Sequence, residues 1–179
     1  MSSNIVPLRL RPHLVSFLMT EMNGESRSFA GYRCKILNIS RYSFVGAYLL
    51  EHLVKIEYPV KNIDKFNIFL DVKATSRKRY IAQGNFYKIE SLGKSFVELP
   101  QEFSETINNT FEQQFRSAFF HYVDARAENN ERITQAILSF IEKYDLFEAN
   151  ITQIQLRKMY YKIKSEGLCF SLQNNLRRK

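Results

Sequence analysis

The sequence predicts an α+β protein with an N-terminal mixed α/β half that contains a three-stranded antiparallel meander, followed by a C-terminal helical region with a helical hairpin. Three patterns lead to that class. Phe66, Ile68, Leu70 and Val72 recur at the two-residue period of a strand. Phe103, Ile107, Phe111, Phe115 and Phe119 recur every four residues, with Val123 continuing the series. Ile133, Ala136, Ile137, Phe140, Ile141 and Tyr144 follow the spacing of an amphipathic helix. Strand patterns fall early and the long helical ones late.

The opening Ile5-Val6-Pro7-Leu8-Arg9-Leu10-Arg11 alternates apolar with other residues, and Pro7, which cannot donate to a ladder, marks an edge strand. A short helix follows from about Pro12 to Met22, with proline tolerated in its first turn and Gly24 beyond its end. Cys34 to Ile39 reads as a strand. Ser43 then caps a helix whose stripe of Tyr48, Leu49, His52, Leu53 and Ile56 runs to the stop at Tyr58-Pro59.

The meander begins with the strand at 66–72, turns at 74–78, returns through Ile89 across a bulge at Gly84-Asn85, and ends with Ser95 to Leu99. Pro100 opens the longest helix, to about Ala127. A stripe with spacing four drifts by about 40° per step, so this helix must meet several packing partners in turn. Its phenylalanines are expected in a core, because regular helical spacing of large apolar residues is the signature of burial. After Glu128-Asn129-Asn130 come a helix over about Glu131 to Tyr144, a linker from Asp145 to Ile151, and a last helix from Thr152 to Glu166 that Gly167 can end. The expected organisation is a core over residues 1–127, with a helical hairpin and basic tail over 128–179 packed with it as one unit.

Composition excludes several classes. A chain of 179 residues that is 45% hydrophobic, with 15 Phe and 10 Tyr but only 6 Gly and 4 Pro, can bury a substantial core and is not disordered throughout. Two cysteines cannot make a disulfide framework or a four-thiolate zinc site, and His13, His52 and His121 lack ligand spacing. Neither metal nor cofactor is expected. No apolar run approaches the ~20 residues that span a bilayer, and the N-terminus lacks a signal-peptide pattern. The three glycosylation sequons, at Asn38, Asn108 and Asn150, are expected to be chance matches, and a cytoplasmic setting follows. Phosphate-cradling glycine loops, nucleophile elbows and metalloprotease motifs are missing from the sequence, so an enzyme is not expected.

The net charge of +8 biases the chain toward polyanionic partners. Its distribution is uneven: residues 1–99 carry +7, residues 100–150 carry −5 and residues 151–179 carry +6. On the last helix Leu156, Met159, Tyr160 and Ile163 share one arc, while Arg157, Lys158, Lys162 and Lys164 spread over the other around Tyr161. Cations on an exposed face gain affinity for phosphates by counterion release, and Tyr161 can stack on a sugar or base. Gln153, Gln155 and Arg157 at the helix start are candidates for reading base edges. A second basic cluster, Arg77, Lys78 and Arg79 beside Tyr80, sits at the first hairpin tip, where it suits either a groove-following ribbon or protection of a sheet edge. Arg9 and Arg11 fit the exposed side of the edge strand.

The opening Ile5-Val6-Pro7-Leu8-Arg9-Leu10-Arg11-Pro12-His13-Leu14, together with Phe140-Ile141-Glu142-Lys143-Tyr144-Asp145-Leu146 and Leu156-Arg157-Lys158-Met159-Tyr160-Tyr161, resembles small uncharacterised proteins of Bacteroidales genomes, prophages and mobile elements. The resemblance implies a phage or mobile-element context, in a host cytoplasm or a phage particle, and brings no functional residues with it. The expected function is non-enzymatic binding of nucleic acid, DNA above all, through the basic C-terminal helix. The rival expectation is a virion or partner-binding subunit whose aromatic-rich helices form an oligomer, with the basic end docking on the acidic helices of its own or a neighbouring chain.

Overall fold

A computed structural model of the chain describes residues 3–29, 32–56, 65–73 and 96–166. In order the elements are β1 (Ser3–Leu8), α1 (Pro12–Glu21), β2 (Glu25–Phe29), β3 (Tyr32–Ser40), α2 (Phe44–His52), β4 (Val54–Ile56), β5 (Ile68–Lys73), β6 (Phe96–Glu98), α3 (Gln101–Glu128), α4 (Ile133–Lys143) and α5 (Gln153–Glu166). The α+β class is as expected. The chain divides into two compact units, Met1–Asn108 and Asn109–Lys179, so the division falls inside α3 and not after it, where the sequence pattern changes.

The first unit holds a four-stranded mixed sheet in the order β1-β5-β3-β2. β1 runs antiparallel to β5, β5 parallel to β3, and β3 antiparallel to β2. β1 is an edge strand, as Pro7 requires. Val6, Leu8, Leu37, Ile39, Ile68, Leu70 and Val72 are buried along alternate positions, and α1 and α2 pack against β3 with Leu14, Val15, Phe17, Leu18, Val45 and Leu49 inside. The opposite side buries Ile5, Cys34, Ile36 and Phe69, with Phe66 against them. Burial there raises the Cys34 thiol above its ordinary pKa, as expected of an inert core cysteine.

The three-stranded antiparallel meander is not what forms. β5 has both edges occupied by β1 and β3, and all of Ile68 to Val72 is buried. Ile68, Leu70 and Val72 alternate along one face, and Phe69 and Asp71 on the other side are covered too, as in an interior strand. Its parallel pairing with β3 requires a crossover, and α2 lies in that connection. The expected returning strand through Ile89 lies outside the described residues. The expected third strand is present as β6 but pairs with β4 in a separate two-stranded sheet. α2 accordingly ends at His52 rather than at Tyr58-Pro59, and Ile56 belongs to β4. β2 has too few apolar residues to announce itself as a strand.

Local chemistry explains the ends of several elements. Ser43 Oγ accepts the Gly46 N–H at 3.1 Å, capping α2 as read from the sequence. Gly46 is required because a Cβ there would collide with the Ser40 carbonyl oxygen. α1, α3 and α4 each end with a left-handed residue, at Asn23, Asn130 and Asp145, and the following N–H returns to the third-last carbonyl of each helix. Asparagine and aspartate here take the position that glycine more often fills.

The connection between β1 and α1 is held by two asparagine side chains. Asn67 accepts from the Leu10 N–H at 2.8 Å and donates to the Leu10 carbonyl at 2.7 Å. Asn108, buried near the start of α3, accepts from the Arg11 N–H at 3.0 Å and donates to the Arg9 carbonyl at 2.9 Å. Arg9 and Arg11 therefore lie beyond β1, in this clasped connection, and not on the strand itself. Their side chains are exposed. Asn108→Ala leaves backbone groups without their partner and is expected to lower stability by about 2 kcal/mol in urea unfolding followed by circular dichroism.

Candidate nucleic-acid interface

The second unit is helical, and its core explains how α5 is oriented. Phe111, Phe115, Phe119 and Val123 of α3 are buried, as their spacing predicts, with Ala136, Ile137, Phe140 and Ile141 of α4 and Leu156 and Tyr160 of α5. Phe140 meets Phe115 and Phe119 edge-on at centroid distances of 5.8 and 5.1 Å, and Phe120 stacks on Tyr160 at 5.6 Å. The segment between α4 and α5 is an ordered double turn. Leu146 is buried, its N–H bonds the Ile141 carbonyl at 3.0 Å, and Asn150 supplies a second left-handed residue.

α5 starts with a capping box. Thr152 Oγ accepts the Gln155 N–H at 3.3 Å, and Gln155 Oε1 accepts the Thr152 N–H at 2.8 Å. Gln153 Nε2 donates to the Thr134 carbonyl at 3.2 Å, tying α5 to the start of α4. Both glutamines that suggested base reading thus have structural work at the helix start, which the three-residue interval between Thr152 and Gln155 already allowed.

The other end of α5 is locked by a three-member network. The fully buried Tyr160 donates its hydroxyl to Asp124 Oδ1 at 2.7 Å, and Lys164 Nζ donates to Asp124 Oδ1 at 3.3 Å and to the Tyr160 oxygen at 3.1 Å. The Tyr160 hydrogen bond, with Lys164 adding to it, holds the Asp124 carboxyl below its ordinary range. Burial, then the hydrogen bond to Asp124, raises the Tyr160 phenol. The hydrogen bonds to Tyr160 and then Asp124 raise the Lys164 ammonium. Lys164, expected among the nucleic-acid contacts, is thereby turned toward α3.

The remaining candidates share an open face. Arg157, Lys158 and Lys162 are exposed, and Tyr161 is 47% exposed with the Arg157 guanidinium carbon 5.9 Å from its ring centroid. Ile154, which the sequence reading passed over, is 68% exposed. At about 100° per residue, Arg157, Tyr161, Ile154, Lys158 and Lys162 follow one another round an arc of about 140°. The spacing of seven between Ile154 and Tyr161 was the available signal.

Cations of this unit differ in whether a carboxylate meets them. Arg116 pairs with Glu112 at 2.8 Å, Arg126 with Glu131 at 3.0 Å and Lys164 with Asp124 at 3.3 Å. Among the described residues Arg157, Lys158 and Lys162 have no carboxylate partner. The second predicted cluster, Arg77, Lys78 and Arg79, lies outside the described residues, as does the basic tail at 177–179. No three residues able to hold a metal ion come together, and no helix is long and apolar enough to cross a membrane, among the described residues.

No family model, curated protein or solved structure matches the chain.

The network on Asp124 makes a pH prediction with a definite sign. The depressed carboxyl contributes stability above its unfolded pKa and loses it as pH falls through the lower folded value. The raised phenol and ammonium contribute below their unfolded values and lose it as pH rises through the folded ones. Tyr160→Phe is expected to cost about 1.5 kcal/mol near neutrality, and to flatten stability against pH at both the acid and alkaline ends. Urea midpoints across pH, compared with the parent chain, check both parts.

Proposed function

We propose that the chain is a non-enzymatic nucleic-acid-binding protein that contacts the phosphate backbone through α5. Arg157, Lys158, Tyr161 and Lys162 form the contact surface, and DNA is the expected polymer. The observation that carries this reading is three cations that, among the described residues, have no carboxylate partner and share one exposed helical face, in a unit where Arg116, Arg126 and Lys164 are paired. Uncompensated surface cations cost little in water and gain affinity when they displace the counterions condensed on a polyanion. Lys164 contributes indirectly, by holding α5 in place. The phage or mobile-element setting belongs to the same proposal and rests on the sequence resemblance.

A second reading, an assembly or partner-binding subunit, draws on the first unit. Tyr42 and Phe44 at the start of α2 are 79% and 65% exposed, and Phe44 stacks along Tyr48 toward His52 and Phe103. Exposed aromatics of this size suit a protein interface. Size-exclusion with light scattering separates the two: a salt-insensitive oligomer that ignores DNA supports assembly.

Charge reversal tests the leading reading. Lys158→Glu with Lys162→Glu is expected to keep the parent circular dichroism spectrum and to weaken duplex binding by at least about ten-fold in fluorescence anisotropy. The slope of log affinity against log salt should become shallower by about two. Unchanged affinity in the folded double variant rejects α5 as the contact.

A further inference from the structure

Resting on that reading, we infer that the polymer α5 recognises is single-stranded nucleic acid, bound with little regard to sequence. The middle of its exposed face is apolar. Ile154 and Tyr161 lie within the exposed arc between Arg157 on one flank and Lys158 and Lys162 on the other, about 10 Å apart along the helix axis. Phosphate rails of a duplex present nothing to an isoleucine or to the face of a tyrosine, because the bases are stacked inside. An unpaired strand offers both components, phosphates for the flanking cations and base faces for the apolar middle.

Two of the three groups that would read base edges in a duplex groove are engaged at the helix start. Gln155 Oε1 closes the capping box with Thr152, and Gln153 donates its amide to Thr134. What remains on the face is positive charge, one aromatic ring and one aliphatic side chain. Of these groups only Arg157 has the paired donors to read a base edge, and its guanidinium lies beside the Tyr161 ring, while the rest recognise phosphate and any base face. Arg157 over Tyr161 completes a planar cation beside a ring, an arrangement on which a base can be layered.

The test compares labelled oligothymidylate with a labelled duplex of equal length, using the full chain in fluorescence anisotropy at one salt concentration. Oligothymidylate is expected to bind at least about ten-fold more tightly. Tyr161→Ala should weaken oligothymidylate by at least about five-fold and by clearly more than it weakens the duplex, and be rescued by Tyr161→Phe, which keeps the ring. Because Tyr161 is half exposed, the variant should retain the parent circular dichroism spectrum. Duplex binding as tight as single-strand binding, or indifference of oligothymidylate affinity to Tyr161→Ala, overturns the inference and leaves backbone contact by α5 standing. Binding to neither polymer, with polyglutamate captured instead, overturns both.

Discussion

The hydrogen bond from Tyr160 to Asp124 is the constraint on which the surface of the second unit depends. Tyr160 lies fully buried against Phe120, and its hydroxyl has to find an acceptor there. Asp124, one turn beyond Phe120 on α3, supplies it at 2.7 Å, and Lys164 closes the arrangement from the next turn of α5. With Leu156 buried on the same side, the rotation of α5 about its axis is set. Everything on the far side of that helix, Ile154, Arg157, Lys158, Tyr161 and Lys162, is exposed as a consequence. A buried polar contact of this kind adds modest net stability but strongly penalises alternatives that would leave the phenol or carboxylate without a partner.

The same economy of short polar side chains governs how the helices end. Asn23, Asn130, Asp145 and Asn150 hold left-handed conformations. Each allows a tight reversal, and after α4 the reversal brings Leu146 into the core. The connection between α4 and α5 is therefore longer than the turn of a DNA-binding helix-turn-helix but no looser. Its ordered turns, the Thr152 capping box and the Gln153 bond to Thr134 fix where α5 begins.

Periodicity made the helices legible because each buries one stripe. The phenylalanines of α3, the apolar series of α4 and the two faces of α5 could all be read without coordinates, and the burial of Phe111, Phe115, Phe119, Phe140 and Leu156 follows those patterns. The Ser43 cap of α2 and the edge position of β1 were legible for equally local reasons. Sheet pairing was less so. Strand partners are chosen by long-range burial, and a turn-rich sequence after β5 points to a hairpin even when the edges of β5 are taken by β1 and β3. β2, polar along much of its length, becomes a strand through its ladder with β3.

For the candidate interface, the sequence by itself determined which residue types α5 carries and that they segregate into an apolar and a basic side. Helical geometry makes this a local property, since residues three and four apart share a face in any setting. Only the tertiary structure decided which of those cations remain unpaired and which apolar residues remain outside. Lys164 is drawn to Asp124, forty residues earlier in the chain, and the two glutamines are used at the helix start. Ile154 and Tyr161 stay exposed because the core of the unit is filled from the opposite side of the helix by Leu156 and Tyr160. Charge and hydrophobicity are written residue by residue, but availability for a partner depends on contacts between segments far apart in sequence.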